Sequence, residues 1–392
     1  FDAEGNSLTT AFEAKFNADW SGTLEALPIL SDATLGLVPY WEAGVLIPSA
    51  HLRNIWTRNS GTVEAFKNCT TGTNLATALN QDSTHVIDNL CSQRLAWLRG
   101  YTAITGASWT TSVVTFTAPE HGLATGNSVV VSGVTPIGYN GTYTVVSVPN
   151  ANSFTAALTT NPGTFTAGGK VRYANFRDRT ASVLGDIMNS DPVYAHEEDF
   201  GYASSGVDES SSYAAYVTAK ATRTPMVYVG ANDGMLHGFK ATTSGAGAGV
   251  ELFAFVPAAV YSNLSALTEP GYLQSHKYFV DGPPTLGDAY DTSSSSWKTY
   301  LAGGLGAGGK SIYALDVSSP DSFAATHVKW EFTDAADLGL TFSQPQIAPI
   351  STTQWAVIFG NGYNSTSDRA FLYIVDLVTG NQIAKIATNT DT

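Results

Sequence analysis

One short stretch of this chain strongly predicts a β-hairpin. Residues 226–239 read MVYVGANDGMLHGF, so an alternating β-branched run leads into Asn232-Asp233-Gly234 and an apolar run follows. Asp-Gly between two apolar runs is a strong hairpin signal, because both central residues of such a turn need positive φ. We therefore expect two antiparallel strands joined by a tight turn at Asp233-Gly234.

The hairpin pattern recurs twice further along the chain. SIYALDV (311–317) leads through a polar loop to VKWEF (328–332). FLYIVDLVTGNQIAKI (371–386) repeats the pattern with Thr379-Gly380 as the turn. Such recurrence indicates repeated units of antiparallel sheet.

Aligning Leu236, Ile312 and Leu372 gives offsets of 76 and 60 residues between the units. These offsets are long for one propeller blade but acceptable if the loops between strands are extended. The pattern is typical of the blades of quinoprotein alcohol dehydrogenase-like proteins. The expected fold class is therefore all-β, a β-propeller.

Composition agrees with an all-β protein and excludes two classes of function. Only 13% of the 392 residues are charged, while Gly and aromatic residues are plentiful, as in secreted all-β proteins. The net charge of −14 argues against nucleic-acid binding, which needs a concentrated basic surface. No apolar stretch approaches the roughly 20 residues of a transmembrane helix.

Several long ungapped stretches resemble the PilC/PilY family, the large tip-associated adhesins and biogenesis factors of bacterial type IV pili. The resemblance is dense over 176–390 and looser over 14–101. The stretches that carry it are YVGANDGMLHGF, FRDRTASVLGDIMNSDPVY (176–194), ELFAFVP (251–257), HKYFVDGPPTLGDAY (276–290), WKTYLAGGLGAGGKSIYALDV (297–317), WEFTDAADLGLTFSQPQIAPI (330–350) and WAVIFGNGYNS (355–365).

The resemblance implies a non-enzymatic extracellular component of the type IV pilus tip. Its expected roles are adhesion to surfaces or host cells, pilus biogenesis and control of retraction. The implied partners are minor pilins and surface or host receptors, and the implied location is the cell surface at the pilus tip. Outer-membrane association is an alternative location. No catalytic residue and no cofactor are expected in this portion, and calcium is implied only for full-length family members.

The resemblance also implies that this chain is a piece of a longer protein. It starts at Phe1 rather than at an initiator Met, and no signal peptide is present. Family members carry a von Willebrand A-type domain before this region and further blades after it, with an EF-hand-type calcium loop. We therefore expect an incomplete propeller here.

Two other functions share parts of the pattern. A quinoprotein dehydrogenase using a pyrroloquinoline quinone would have similar blades, but it also presents a stacking tryptophan, calcium ligands and often vicinal cysteines. The two cysteines here lie 22 residues apart, and no compact ligand set is evident. A structural subunit of an extracellular filament is the third hypothesis.

The sequence divides into three regions. Residues 1–105 are expected to form the N-terminal part of the propeller region, with one short helix near 83–99. Residues 106–172 alternate with period two between Gly- and Asn-rich turns, which predicts an inserted all-β module, barrel- or sandwich-like, of five or six strands. Residues 173–392 are expected to form the blades, after a polar Ser-rich loop at 197–225.

Local signals set the expected ends of two elements. Asp82 or Ser83 can cap the start of the helix, and Gly100 can end it. Asn140-Gly141 predicts a two-residue hairpin within the module. The module either adds a binding surface or acts as a spacer, and its sequence leaves both open.

Cys69 and Cys91 are candidates for a structural disulfide. The bond would contribute roughly 3 kcal/mol on the chain-entropy estimate. The alternative is two buried thiols. A structural zinc is disfavoured, because neither Cys-x-x-Cys nor a neighbouring His supports it.

Two motifs match known sites but lack their context. Residues 304–311 fit the nucleotide P-loop pattern, which needs a helix directly afterwards, whereas the sequence here predicts a strand. We therefore expect these glycines to permit close approach of neighbouring strands. Residues 208–212 fit the DxSxS metal motif, but no apolar strand precedes them, so a solvated loop is expected.

The remaining candidates are isolated polar residues, and no metal residues can be assigned from them. The seven histidines show no metal-binding spacing, and His237 is expected to be a hydrogen-bonded structural residue. His196-Glu197-Glu198-Asp199 suits an acidic surface run better than a cation site. Three aspartates near strand ends are expected to cap turns rather than bind calcium: Asp281, Asp288 and Asp291.

Overall fold

The computed structural model describes residues 9–179 and 182–388. The first elements precede the inserted module, and three of the strands form a small antiparallel sheet in the order β1-β2-β3. These elements are β1 (Thr10–Phe16), β2 (Gly22–Pro28), β3 (Trp41–Glu42), α1 (Ala43–Leu46), β4 (Ile55–Asn59), β5 (Thr62–Ala65), α2 (Asn74–Leu79) and α3 (Cys91–Leu98).

The inserted module lies in a sheet of seven strands, in the order β6-β12-β9-β10-β11-β8-β7. Six of these strands, β7 to β12, fall in the predicted region, which agrees with the five or six expected, and β6 precedes it. It has an apolar core of its own, with Phe116, Val129 and Phe154 fully buried. Its strands are β6 (Thr102–Ile104), β7 (Gly106–Thr110), β8 (Val113–Thr117), β9 (Ser128–Ser132), β10 (Gly141–Asn150), β11 (Ser153–Ala157) and β12 (Gly169–Tyr173).

The predicted hairpin at Asn140-Gly141 is wrong. A longer loop joins β9 to β10, and the Asn140 side chain bonds both the amide and the carbonyl of Val134 across that loop (2.9 and 2.8 Å). Two-residue turns of the module lie instead between β7 and β8, where Thr110 pairs with Val113, and between β10 and β11, where Asn150 pairs with Ser153. Asn140 therefore stabilises a loop through its side chain, which the dipeptide rule does not describe.

The rest of the described chain builds three successive antiparallel units of four strands each, which confirms the propeller blades. Two helices interrupt them. The elements are β13 (Val193–Ala195), α4 (Ser210–Lys220), β14 (Met226–Ala231), β15 (Met235–Lys240), β16 (Glu251–Val256), α5 (Tyr261–Leu264), β17 (Thr285–Asp291), β18 (Ser296–Gly304), β19 (Ile312–Asp316), β20 (Val328–Phe332), β21 (Gln346–Pro349), β22 (Trp355–Gly360), β23 (Phe371–Asp376) and β24 (Gln382–Ala387).

The predicted repeat is confirmed at the level of single residues. The three aligned positions all lie in the third strand of their blade, and each pairs with a glycine of the second strand. The pairs are Leu236–Gly230, Ile312–Gly304 and Leu372–Gly360. The alternating pattern therefore identified equivalent strands despite the unequal offsets.

Both faces of the middle blade are buried. Side chains alternate between the faces of a strand, so Leu301, Tyr313 and Leu315 join the core shared with the first blade. Ala302 and Ile312 point the other way, into the core shared with the third blade. The blades thus stack face to face through apolar side chains.

The first blade is extended by a strand from the N-terminal region. β4 pairs in parallel with β16, and β5 follows β4, so this sheet has six strands. A parallel pair needs a long connection, and here the connection includes the whole inserted module. β4 and β5 of the N-terminal region are therefore part of the first blade's sheet.

Two helix predictions need correction. The helix expected near 83–99 begins only at Cys91, because the Asp82 carboxylate bonds the amides of Thr84 and Val86 and so holds a turn. The expected Gly100 end is confirmed, with φ of +127°. The described residues contain five α-helices rather than one, and the largest error is α4, which occupies part of the expected loop at 197–225.

The turn of the first hairpin also differs in detail. Ala231 pairs with Met235, so three residues rather than two form the loop. Among the loop residues only Gly234 has positive φ, at +96°. This geometry fits a three-residue hairpin with glycine in the last loop position.

Replacing Gly234 with alanine should destabilise the first blade more than the same change at Gly245. Both glycines have positive φ (+96° and +85°), so both variants strain the backbone. A Cβ at Gly234 would also lie 2.6 Å from Leu264 Cδ2, whereas a Cβ at Gly245 meets nothing within 4 Å. We expect Gly234→Ala to cost about 1 kcal/mol more, measured by urea unfolding. Equal costs would show that the turn does not pack on Leu264.

Removing the module should leave cooperatively folded blades. Thr102 and Val171 are paired across β6 and β12, so a single glycine can join them after deletion of 103–170. We expect one thermal transition by circular dichroism, at a lower temperature because the contacts of the module with α3 are lost. A broad, non-cooperative melt would show that the blades need the module in order to fold.

Candidate functional site

A buried ion pair joins the N-terminal region to the first blade. Arg53 lies just before β4, and Glu251 is the first residue of β16. The guanidinium donates from Nε and Nη2 to the two carboxylate oxygens, at 2.6 and 2.7 Å. Both side chains are 1% exposed. This bidentate geometry is the strong form of an arginine–carboxylate contact. The ion pair lies where the parallel strands β4 and β16 begin.

His237 extends the ion pair into a network. Its Nδ1 lies 2.7 Å from Glu251 Oε1, and its Nε2 lies 3.1 Å from Asp233 Oδ1. Burial alone would lower the pKa of His237, but the two carboxylates outweigh burial and raise the pKa to about 9. The imidazole is therefore protonated at neutral pH, with both ring nitrogens donating. The expectation of a hydrogen-bonded histidine is confirmed.

The network also holds the hairpin turn and the segment before the blades. Asp233 Oδ2 accepts a hydrogen bond from the Gly185 amide at 3.1 Å, and Oδ1 accepts from the Met235 amide at 3.2 Å. Burial alone would raise the pKa of Glu251, yet Arg53 and His237 lower it to about 2. Two cations and two anions thus compensate each other inside the protein.

This network is suited to holding segments together rather than to proton transfer. A catalytic acid or base must reach the proton that it transfers. His237 is 0% exposed, and both of its nitrogens already donate to carboxylates. The four side chains therefore fix the relative positions of β4, β15, β16 and the turn.

The network should make the free energy of unfolding depend on pH. His237 has a folded pKa raised from 6.5 to about 9, so its contribution is complete below pH 6.5 and is lost as pH rises to 9. Glu251 has a folded pKa lowered from 4.5 to about 2, so its contribution is lost as pH falls from 4.5 to 2. Stability should therefore be greatest between these two ranges.

We expect urea unfolding at constant ionic strength to show a loss of about 1 to 3 kcal/mol between pH 6.5 and 9. His237→Gln should flatten this alkaline slope, because the titrating group is gone. An unchanged slope in the variant would assign the pH dependence to other groups.

A second feature is an arginine-rich cleft between α3, the module and the segment that follows β12, here called the junction cleft. The guanidinium carbon of Arg179 lies 3.7 Å from the centre of the Trp97 ring, and that of Arg177 lies 4.5 Å from the centre of the Tyr272 ring. Arg179 also donates to the carbonyls of Trp97 and Gly100. These contacts place Arg179 at the end of α3, and the guanidinium carbon of Arg177 also lies 5.5 Å from the centre of the Trp97 ring.

The junction cleft encloses a cavity of about 50 Å³. Lys170 and Arg172 of β12 contribute further positive charge to its lining, and Asp178 is the one carboxylate among its described lining residues. Arg172 Nε lies 3.3 Å from an Asp178 oxygen. Burial and repulsion from Arg177 lower the pKa of Arg179 to about 9. The cleft is thus a cationic region in an acidic chain.

The P-loop match does not have nucleotide-site geometry. β19 begins at Ile312, so a strand follows the glycines, as predicted. A Cβ on Gly308 would lie 1.8 Å from the Phe279 carbonyl oxygen, which confirms that close backbone approach requires glycine there. The Lys310 ammonium donates to the Asn364 carbonyl.

The DxSxS match is equally without its context. Asp208 is exposed in a turn, and its amide donates to the Thr352 carbonyl at 2.8 Å. Ser210 begins α4, so the serines of the motif lie in a helix rather than in the expected loop. The acidic run at 196–199 closes a local turn, in which the His196 amide donates to the Glu198 carboxylate.

The three aspartates near strand ends have three different roles. Asp291 caps a turn by accepting from the Ser293 amide at 2.9 Å, as predicted. Asp281 instead bonds the Asn189 side chain at 2.7 Å. The turn-cap prediction is wrong for Asp288, which is buried and lies 2.6 Å from the Lys220 ammonium.

The Lys220–Asp288 pair holds α4 against the middle blade. Tyr213 also donates to Asp288, at 2.7 Å. Tyr213, Tyr216, Val217 and Lys220 recur at the helical spacing i, i+3, i+4, i+7, and this signal could have identified α4 from the sequence. The Arg53–Glu251 pair carries no comparable local signal.

The remaining candidates are the cysteines and metal ligands. In the structure Cys69 and Cys91 are joined by a disulfide, which ties the segment after β5 to the start of α3. Within residues 9–179 and 182–388, no three His, Cys, Asp or Glu side chains are grouped to hold a metal ion.

No helix in these ranges is long and apolar enough to cross a bilayer.

Comparisons with known proteins match the blades. Residues 184–392 match the family model described as the PilY1 beta-propeller domain. A Xylella fastidiosa protein named type IV pilus biogenesis factor PilY1 homolog is 44% identical over 227 residues, covering 56% of this chain and 15% of that protein. Type IV pilus biogenesis factor PilY1 of Pseudomonas aeruginosa is 42% identical over 227 residues, covering 57% of this chain and 19% of that protein.

One similar solved structure is the crystal structure of the Pseudomonas aeruginosa PilY1 C-terminal domain. It is 36% identical, covers 51% of this chain and 37% of that chain, and gives a TM-score of 0.40. The chain spans less than a fifth of the length of the two curated relatives.

Proposed function

Because this chain belongs to the PilY1 family, whose propeller model matches residues 184–392, we propose that it acts in type IV pilus biogenesis as a non-enzymatic extracellular component. The observation that carries the proposal is the family match across all three blades. Curated relatives named as pilus biogenesis factors, at 42–44% identity over the same region, support it.

The proposed mode of action is binding through loops and cleft surfaces. The buried histidine network supports this, because its groups are sealed from solvent and already paired. The blades stack through apolar faces, and some of their connecting segments are exposed, such as 243–247 and 292–295. Binding residues commonly lie on exposed loops of this kind. In this proposal the blades act as a rigid support for those segments.

The proposal also covers the location of the protein and its binding partners. We place the protein at the pilus tip, with minor pilins and surface or host receptors as partners and with adhesion as a second role. The Cys69–Cys91 disulfide supports an exported protein, since such bonds persist mainly in oxidising compartments. Calcium binding is proposed only for the longer protein.

The test uses the bacterium that produces the protein. We expect deletion of the gene to reduce surface pili, and reintroduction to restore them, measured by shearing and pilin immunoblot. An antibody to this chain should detect it in the sheared fraction of the complemented strain. In a matched strain without the major pilin, this signal should disappear from that fraction.

Two results would contradict the proposal. One is normal surface piliation and normal pilus retraction after gene deletion. The other is an antibody signal in the sheared fraction that does not change when the major pilin is absent. Immunogold labelling of intact pili then tests the tip location separately, since tip labelling and labelling along the shaft give different images.

A further inference from the structure

The junction cleft concentrates positive charge, and three of its cations make no direct ion pair with the described carboxylates of the protein. Within the described ranges, Arg177, Arg179 and Lys170 have no carboxylate within ion-pair distance, and Asp178, the one acidic residue in the lining, lies against Arg172. The chain as a whole carries a net charge of −14.

Asp19 and Asp186 attract Arg177. In the same way, Asp233 attracts Arg179. None of these three carboxylates lies within ion-pair distance of the arginine that it attracts. A cavity whose described lining holds four cations and one carboxylate is therefore unusual in this acidic molecule.

Burial makes this lack of counter-charge costly. A buried guanidinium loses its hydration, and it needs hydrogen bonds or an anion in exchange. Arg177 Nε is fully buried and has no hydrogen-bond partner in the described structure. One bond of Arg177 is a 3.5 Å contact from Nη1 to the Asp19 carbonyl. Its contacts with aromatic rings supply only part of the missing interaction.

The arginines of the cleft are held in place before any ligand binds. Arg172 Nη1 donates to the carbonyls of Ala174 and Phe176 at 3.2 and 3.1 Å. Arg179 donates to carbonyls at the end of α3 and lies over Trp97. Fixed cations lose little conformational entropy on binding, which favours affinity for a small ligand.

The size of the space limits the ligand. The inner cavity is about 50 Å³, a volume that takes a few water molecules or one small oxyanion. Tyr101, Lys170 and Arg179 also line a wider adjoining recess of about 550 Å³. The recess can accept the remainder of a larger molecule whose charged group enters the inner cavity.

We propose that the junction cleft binds a carboxylate or phosphate group, with Arg177 and Lys170 as its principal charged contacts. Guanidinium groups bind both kinds of oxyanion through charge-assisted hydrogen bonds, and an ammonium adds a point charge. The inference is independent of the pilus role, because it depends only on the cleft. It also gives the inserted module a function, since Lys170 belongs to β12.

The test measures binding of three probes to the purified chain by isothermal titration calorimetry at constant ionic strength. Sodium glucuronate presents a carboxylate on a sugar ring, inorganic phosphate presents the alternative oxyanion, and glucose is the neutral counterpart of glucuronate. We expect saturable binding of glucuronate or phosphate and none of glucose. The oxyanion that binds more tightly shows whether the cleft prefers a carboxylate or a phosphate group.

Lys170→Gln should weaken the bound oxyanion by about fivefold or more, because it removes one charge from the lining. Lys329→Gln is the matched control, since Lys329 is also a half-buried strand lysine but lies outside the cleft. Arg177→Gln should weaken binding further. If the Arg177 variant does not fold, the comparison of the two lysine variants still tests whether the cleft is the binding site.

Three outcomes would overturn the proposal. The first is the absence of saturable binding of both glucuronate and phosphate to the unmodified chain. The second is equal affinity in the Lys170 and Lys329 variants. The third is saturable binding of glucose as tight as that of glucuronate, because the sugar would then be recognised without the carboxylate.

Discussion

The buried contact between Arg53 and Glu251 is the interaction on which the remaining arrangement depends. It lies where β4 joins β16, so it connects a segment near the N-terminus with a strand almost 200 residues later in the chain. Arg53 also donates to the Arg99 carbonyl, and Arg99 donates back to the Ala50 carbonyl. The same side chains therefore position the end of α3, which forms one wall of the junction cleft.

Buried charge has a similar role at the middle blade. Lys220 and Asp288 are almost completely buried, and their contact holds α4 against β17. Such a pair costs desolvation, so its net contribution to stability is small, but removal of one partner leaves an uncompensated charge. In both places the pair defines where a segment outside the repeat attaches to a blade. We infer that apolar faces stack the blades while ion pairs attach the additional segments.

The sequence was informative where structure follows local patterns. Strands with period-two alternation and the equivalence of Leu236, Ile312 and Leu372 could be predicted, because these signals span only a few residues. Local rules failed where a side chain replaced the expected backbone geometry, as at Asn140 and Asp82. The charge network could not be predicted, since Arg53 and Glu251 lie 198 residues apart in the chain, with the whole module between them. The junction cleft could not be predicted either, since its lining combines residues from α3, the module and the segment after it.

The central claim is that Arg53 and Glu251 act as one unit, and a double-mutant cycle tests it most directly. Urea unfolding would compare Arg53→Met, Glu251→Gln, the double variant and the unmodified chain at pH 6. Each single change should cost about 3 to 5 kcal/mol, because it leaves a buried charge without its bidentate partner. The double variant should then be more stable than the sum of the single effects implies, by at least about 1.5 kcal/mol. Effects that add to within about 0.5 kcal/mol would contradict the claim, because independent residues behave in that way.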